Sequence, residues 1–137
     1  MSSIAPLQQH RGDRIMNGDK LGIMLSGLCA VHCLFFSAAI ALLPLLPVSA
    51  SVHAWTHPIF FVLIVPTVIY ALRKSTASLR VVLPLVSGTI VVGIAWIWHG
   101  PDRPFLEAGL TLVGSMLLIW GHWINYRELL ALNRQAC

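Results

Sequence analysis

Four stretches of the chain, residues 21–47, 55–72, 81–98 and 108–124, contain no Asp, Glu, Lys or Arg, and they run for 27, 18, 18 and 17 residues. A helix needs about 20 apolar residues to cross a hydrocarbon core, with roughly 17–25 the usual range. Each block is long enough to span a bilayer. Charged residues make up 10% of the 137 positions, where a soluble domain carries about a quarter. The connections are short, so consecutive spans must be antiparallel neighbours. The expected fold is all-α: an integral membrane four-helix up-and-down bundle, with the lipid bilayer as its first partner.

The formal net charge of +4 is no nucleic-acid footprint, because its distribution follows the blocks. Arg11, Arg14 and Lys20 precede the first span, Arg73, Lys74 and Arg80 fill the second connection, and Arg127 and Arg134 follow the last. On the other side stands Arg103 alone, beside Asp102. The positive-inside rule then puts both termini in the cytoplasm. Trp55, Trp96 and Trp98 are expected at the outer interface, and Tyr70, Trp120, Trp123 and Tyr126 at the inner one. Residues 1–18 read as a flexible cytoplasmic leader, 19–130 as the membrane domain with spans at about 21–47, 55–72, 81–98 and 106–124, and 131–137 as a short cytoplasmic tail. Val48-Ser49-Ala50 before Ser51 has the form of a signal-cleavage site. A signal's apolar region is typically about 7–15 residues, far shorter than this first block, so the block is expected to stay as a span.

The first span has the most distinctive face. Gly22, Ser26 and Ala30 recur every fourth residue, as do Cys29, Cys33, Ser37 and Ala41. Such small residues let helix backbones approach closely in a membrane. Pro44 and Pro47 are expected to close this helix, and Pro58 to sit in the first turn of the second with Thr56 or His57 as its cap. Pro66 removes the amide donor of the Val62 carbonyl, which implies a kink or, alternatively, a carbonyl offered to a passing ion. Gly88, Gly93, Gly109 and Gly114 are expected at close helix contacts.

Chemistry concentrates in Cys29-Ala30-Val31-His32-Cys33. Residues four apart share a helix face, so both thiols can meet one soft cation, whose binding would deprotonate them. Against this stands the ordinary behaviour of buried cysteine as a small apolar residue. His32 is open to three roles: a third ligand, a proton acceptor for a thiol, or a hydrogen-bond partner to another span. His53 and His57, in the outer connection, are either interfacial histidines bonded to water or backbone or, if that segment is helical, share a face that would collect an incoming cation, with His99 able to join them. Glu107, near the outer end of the fourth span, is expected to pair with Arg103 at the surface or, alternatively, to attract cations. His122, Trp123, Asn125 and Arg127 are expected to anchor the inner interface. Cys137 is a lone terminal thiol.

Taken together, Cys-x-x-His-Cys at 29–33, the proline-rich closure, His-x-Trp-x-His at 53–57 and His122-Trp123-x-Asn125 resemble the MerC-type mercuric-ion transporters and their broader MerC-domain relatives, over roughly residues 19–130. The resemblance implies a multi-pass protein of the bacterial inner membrane that takes up mercuric ion through Cys29 and Cys33. Mercury-operon members carry Cys-x-x-Cys in this span and further cysteines in the tail. This chain has Cys-x-x-x-Cys with His32 inside, which keeps zinc and copper as alternative cargo.

The leading expectation is a non-enzymatic one: ligand exchange of a thiophilic metal ion from the outer histidines to the cysteine pair and on to a cytoplasmic thiol acceptor. No permanently bound cofactor is expected, and no nucleotide-binding loop is present to drive pumping. Two alternatives stand beside it. A membrane thiol oxidoreductase would normally show a second cysteine pair to pass electrons on. A non-transporting subunit would use the small-residue faces against another membrane protein or a second copy.

Overall fold

The computed structural model describes the backbone over 5–42, 50–74, 78–98 and 104–135, and side chains over 17–35, 55–73, 78–98, 105–132 and 134–135. Four helices account for it: α1 (Ala5–Leu42), α2 (Ala50–Lys74), α3 (Leu79–Ile97) and α4 (Pro104–Gln135). All four are long and apolar enough to cross a membrane, over Asn17–Phe35, Trp55–Arg73, Leu79–Ile97 and Phe105–Leu132.

Neighbouring helices run antiparallel, as the pairings along each interface show. On α1 and α4, Gly22 meets His122 while Cys33 lies beside Thr111. On α3 and α4, Leu85 meets Gly121 while Val92 meets Gly114. On α1 and α2, Gly18 meets Tyr70 and His32 faces Phe60. The start of α1 and the end of α4 therefore share one end of the bundle. The apolar core is Ile64, Val68 and Ala71 of α2, Val81, Leu85 and Val92 of α3, and Leu118 of α4. Lipid is as apolar as these side chains, so the contacts hold through van der Waals fit, not through exclusion of water.

Fit is closest where glycine removes a side chain. A Cβ at Gly88 would lie 2.9 Å from the Gly114 carbonyl oxygen, and one at Gly114 would lie 3.1 Å from the Gly88 carbonyl oxygen. The two backbones thus touch directly. Gly93 is looser, 3.4 Å from Phe61, and Gly109 meets nothing within 4 Å, so the expectation of a close contact at residue 109 does not hold. Outward-facing Leu28, Val31, Phe35, Val62, Leu83 and Ile90 cover the bundle with apolar surface.

Two helix details differ from expectation. Pro58 lies inside α2, which begins at Ala50, so Thr56 and His57 are helical residues and not caps. Residues 53 and 57 are thereby set one turn apart on one helix. Pro66 and Val62 both lie on the outer, exposed surface, which turns that stretch toward lipid and away from any ion path. Pro44 and Pro47 fall outside the described residues.

Candidate functional site

One seam on α1 and one on α4, joined by His57 of α2, make the polar interior at the site. On α1 the buried positions Asp19, Gly22, Ser26, Cys29 and Cys33 alternate spacings of three and four, which keeps them on one face. On α4 spacings of four and three likewise join Glu107, Thr111, Ser115, Leu118, His122 and Asn125, all buried. The antiparallel seams bring these residues into three levels.

The middle level holds the thiols. Cys29 and Cys33 are free, 1% and 3% exposed. Ser115 adjoins Cys29 and Thr111 adjoins Cys33. The Thr111 hydroxyl donates to the Glu107 carbonyl oxygen at 2.9 Å, so toward the thiol it presents an acceptor. Among the described residues no three of His, Cys, Asp and Glu converge to hold an ion together. His32 turns toward α2, its ring centroid 6.2 Å from that of Phe60 and tilted by 46°. The thiols thus face α4 while the imidazole faces α2, as the rotation of about 100° per residue requires of neighbours 32 and 33.

One level lies at the end where α2 and α4 begin. His57 Nε2 stands 3.1 Å from Glu107 Oε1, and both side chains are 5% exposed. Glu107 occupies the first turn of α4, where the partial positive charge of the helix end favours a carboxylate. The expectation that Glu107 lies at the surface is corrected: it is buried and points inward across the bundle to His57. The side chains of His53, His99, Arg103 and Cys137 fall outside the described residues. Because Cys33 is level with Thr111, about one helical turn (5.4 Å) from Glu107, the thiol pair sits toward this end.

The third level, where α1 enters the bundle and α4 leaves it, was not anticipated. His122 Nδ1 lies 2.9 Å from Asp19 Oδ1, and Asn125 Nδ2 donates to Asp19 Oδ2 at 2.8 Å. Asp19, His122 and Asn125 are 1%, 0% and 1% exposed. An interfacial anchor would be half in water; these side chains are not, and only their neighbours Trp123 and Arg127 face outward. The His122 ring packs on α1 where a Cβ at Gly22 would stand 2.4 Å from Nε2. Asp19 could have been found by continuing the Cys33–Cys29–Ser26–Gly22 seam one step further. Its place at the edge of an apolar block made it look like a flanking charge.

No curated protein and no solved structure matches the chain. A family match does exist and begins at the residue that closes the third level: from Asp19 to Arg127, positions 19–127 match the MerC mercury resistance proteins, and the chain belongs to that family.

Proposed function

We propose that this membrane protein moves mercuric ion across the bacterial inner membrane by ligand exchange through Cys29 and Cys33, with both termini in the cytoplasm. One observation carries the reading. The two thiols are buried on one helix face, one turn apart, with hydroxyl neighbours and no third ligand gathered beside them among the described residues. Two sulfurs without further ligands suit a soft ion content with linear coordination, such as Hg(II) or Cu(I). Zn(II) normally takes four ligands. Polar groups held inside a membrane bundle mark ion pathways by default.

The order of steps follows the levels. A cation arriving at the outer end meets His57, one turn along α2 from residue 53. It passes to Cys33, the nearer thiol, and is then shared with Cys29. A cytoplasmic thiol, from a small molecule or a protein, takes it on by the same exchange. His32, turned toward Phe60, is secondary in this route.

Binding and uptake of radioactive Hg(II), with Cu(I) and Zn(II) as competitors, test the proposal on purified protein and in proteoliposomes. Cys29→Ser with Cys33→Ser is expected to abolish Hg(II) binding and uptake, and Cu(I) is expected to compete better than Zn(II). Unchanged Hg(II) uptake by the double variant would refute the route.

A further inference from the structure

We propose that Ser115 and Ser26 donate hydrogen bonds to the metal-bound sulfur of Cys29 and make it, rather than Cys33, the sulfur that holds mercuric ion longer; this rests on the thiol route above. Neither serine bonds the ion. Both are positioning residues that act through Cys29.

The observation is how the helices use their hydroxyls. Inside a bilayer, serine and threonine ordinarily satisfy themselves by donating to a carbonyl oxygen of the preceding turn. Thr67 donates to Ile64 at 2.7 Å, Ser87 to Leu83 at 2.7 Å, Thr89 to Leu85 at 2.8 Å and Thr111 to Glu107 at 2.9 Å. Ser26 and Ser115 do not, although Gly22 and Thr111 stand four residues earlier. Both are 0% exposed, and their hydroxyls have no hydrogen-bond partner among the described residues. A buried hydroxyl left without a partner is costly. Two of them kept so at one place imply an acceptor that arrives later.

That place is Cys29. Ser115 adjoins its thiol from α4. Ser26 precedes it by three residues on the same buried face of α1, and helical side chains lean toward the N-terminus, which carries the sulfur toward that residue. A thiol sulfur is a weak acceptor. A metal-bound sulfur carries negative charge, and hydrogen bonds to charged acceptors are the strong ones. Cys33 lacks this support: its hydroxyl neighbour is Thr111, whose proton is committed to the Glu107 carbonyl oxygen. The two sulfurs are chemically alike and unequally surrounded, with the uncommitted donors beside the inner one. An ion that arrives at Cys33 and is shared with Cys29 therefore settles on the inner sulfur, from which a cytoplasmic thiol removes it.

Release of mercuric ion from loaded full-length protein in detergent to excess dithiothreitol, followed by stopped flow in a Cys137→Ser background, tests the assignment. Cys33→Ser leaves only the inner sulfur and Cys29→Ser only the outer one. The protein that retains Cys29 is expected to release the ion about tenfold more slowly, the scale of one hydrogen bond to a charged group. Ser115→Ala should remove most of that difference, speeding release where Cys29 remains and leaving it unchanged where only Cys33 remains. Ser26→Ala should act in the same direction. The sulfur-to-mercury charge-transfer band should move to longer wavelength in Ser115→Ala, a change that a packing defect does not produce. Metal-free protein gives an independent reading. Because the hydroxyl is unpartnered before metal arrives, Ser115→Ala should leave the thermal midpoint unchanged or raise it, while shrinking the upward shift that mercuric ion causes. Equal release from the two single-thiol proteins, or a Ser115→Ala effect of the same size in both, would overturn the role of the serines. Persistent Hg(II) binding by the Cys29→Ser, Cys33→Ser protein in this background would instead overturn the thiol route.

Discussion

At the scale of single residues, Gly22 shows how a small side chain sets the chemistry of a larger one. The His122 ring is fixed on one side by Asp19 and occupies on the other the space a Cβ at residue 22 would take, 2.4 Å from Nε2. The ring cannot swing away without giving up a buried hydrogen bond. Gly22→Ala is therefore expected to lower stability by about 1–3 kcal/mol, the ordinary cost of overpacking. Gly27 is the matched control, because nothing lies within 4 Å of its Cβ position, and Gly27→Ala should stay within about 0.5 kcal/mol of wild type. Thermal unfolding in one detergent compares them. Equal midpoints for the two variants would mean that the imidazole is not pinned.

At the scale of elements, the helices and the thiol face were legible in the sequence, and the polar levels at either end were not. Uninterrupted apolar blocks identify spans because the bilayer demands length and low charge locally. The Cys29–Cys33 face is equally local, one turn of one helix. Asp19 meets His122 and Asn125 across sequence separations of 103 and 106 residues, and no pattern within either helix specifies that meeting. Glu107 was misplaced for the same reason, its partner His57 being on a different helix. The α3–α4 contact shows what a shared interface predicts. Gly88 and Gly114 each approach the other's carbonyl oxygen, so either Gly→Ala change forces the same two backbones apart. The double variant should cost less than the sum of the singles, with a coupling of about 0.5–3 kcal/mol in a double-mutant cycle. Additive costs in denaturant unfolding would show the two glycines acting through separate contacts.

At the scale of the whole molecule, the thiols are enclosed between two buried imidazole–carboxylate pairs, His57–Glu107 toward one face and Asp19–His122 toward the other. Each pair joins α4 to a different helix, α2 or α1, so the two ends can loosen separately. In the orientation proposed from the excess of Lys and Arg around both chain ends, the Asp19–His122 face is the cytoplasmic one. Labelling with a membrane-impermeant maleimide tests both statements at once. Cys137, on the tail, should stay unlabelled in intact spheroplasts and react in inside-out vesicles. In a Cys137→Ser background the wild-type thiols, 1% and 3% exposed, should react slowly from either side. Glu107→Ala should speed labelling of Cys33 from the periplasmic side, and Asp19→Ala should speed labelling of Cys29 from the cytoplasmic side. If Cys137 reacts in spheroplasts instead, the bundle is inverted, the metal meets Asp19–His122 first, and the proposed order of ligands runs backwards. If both alanine variants label like wild type, neither pair closes its end, and the thiols owe their protection to the packing of α1 on α4 alone.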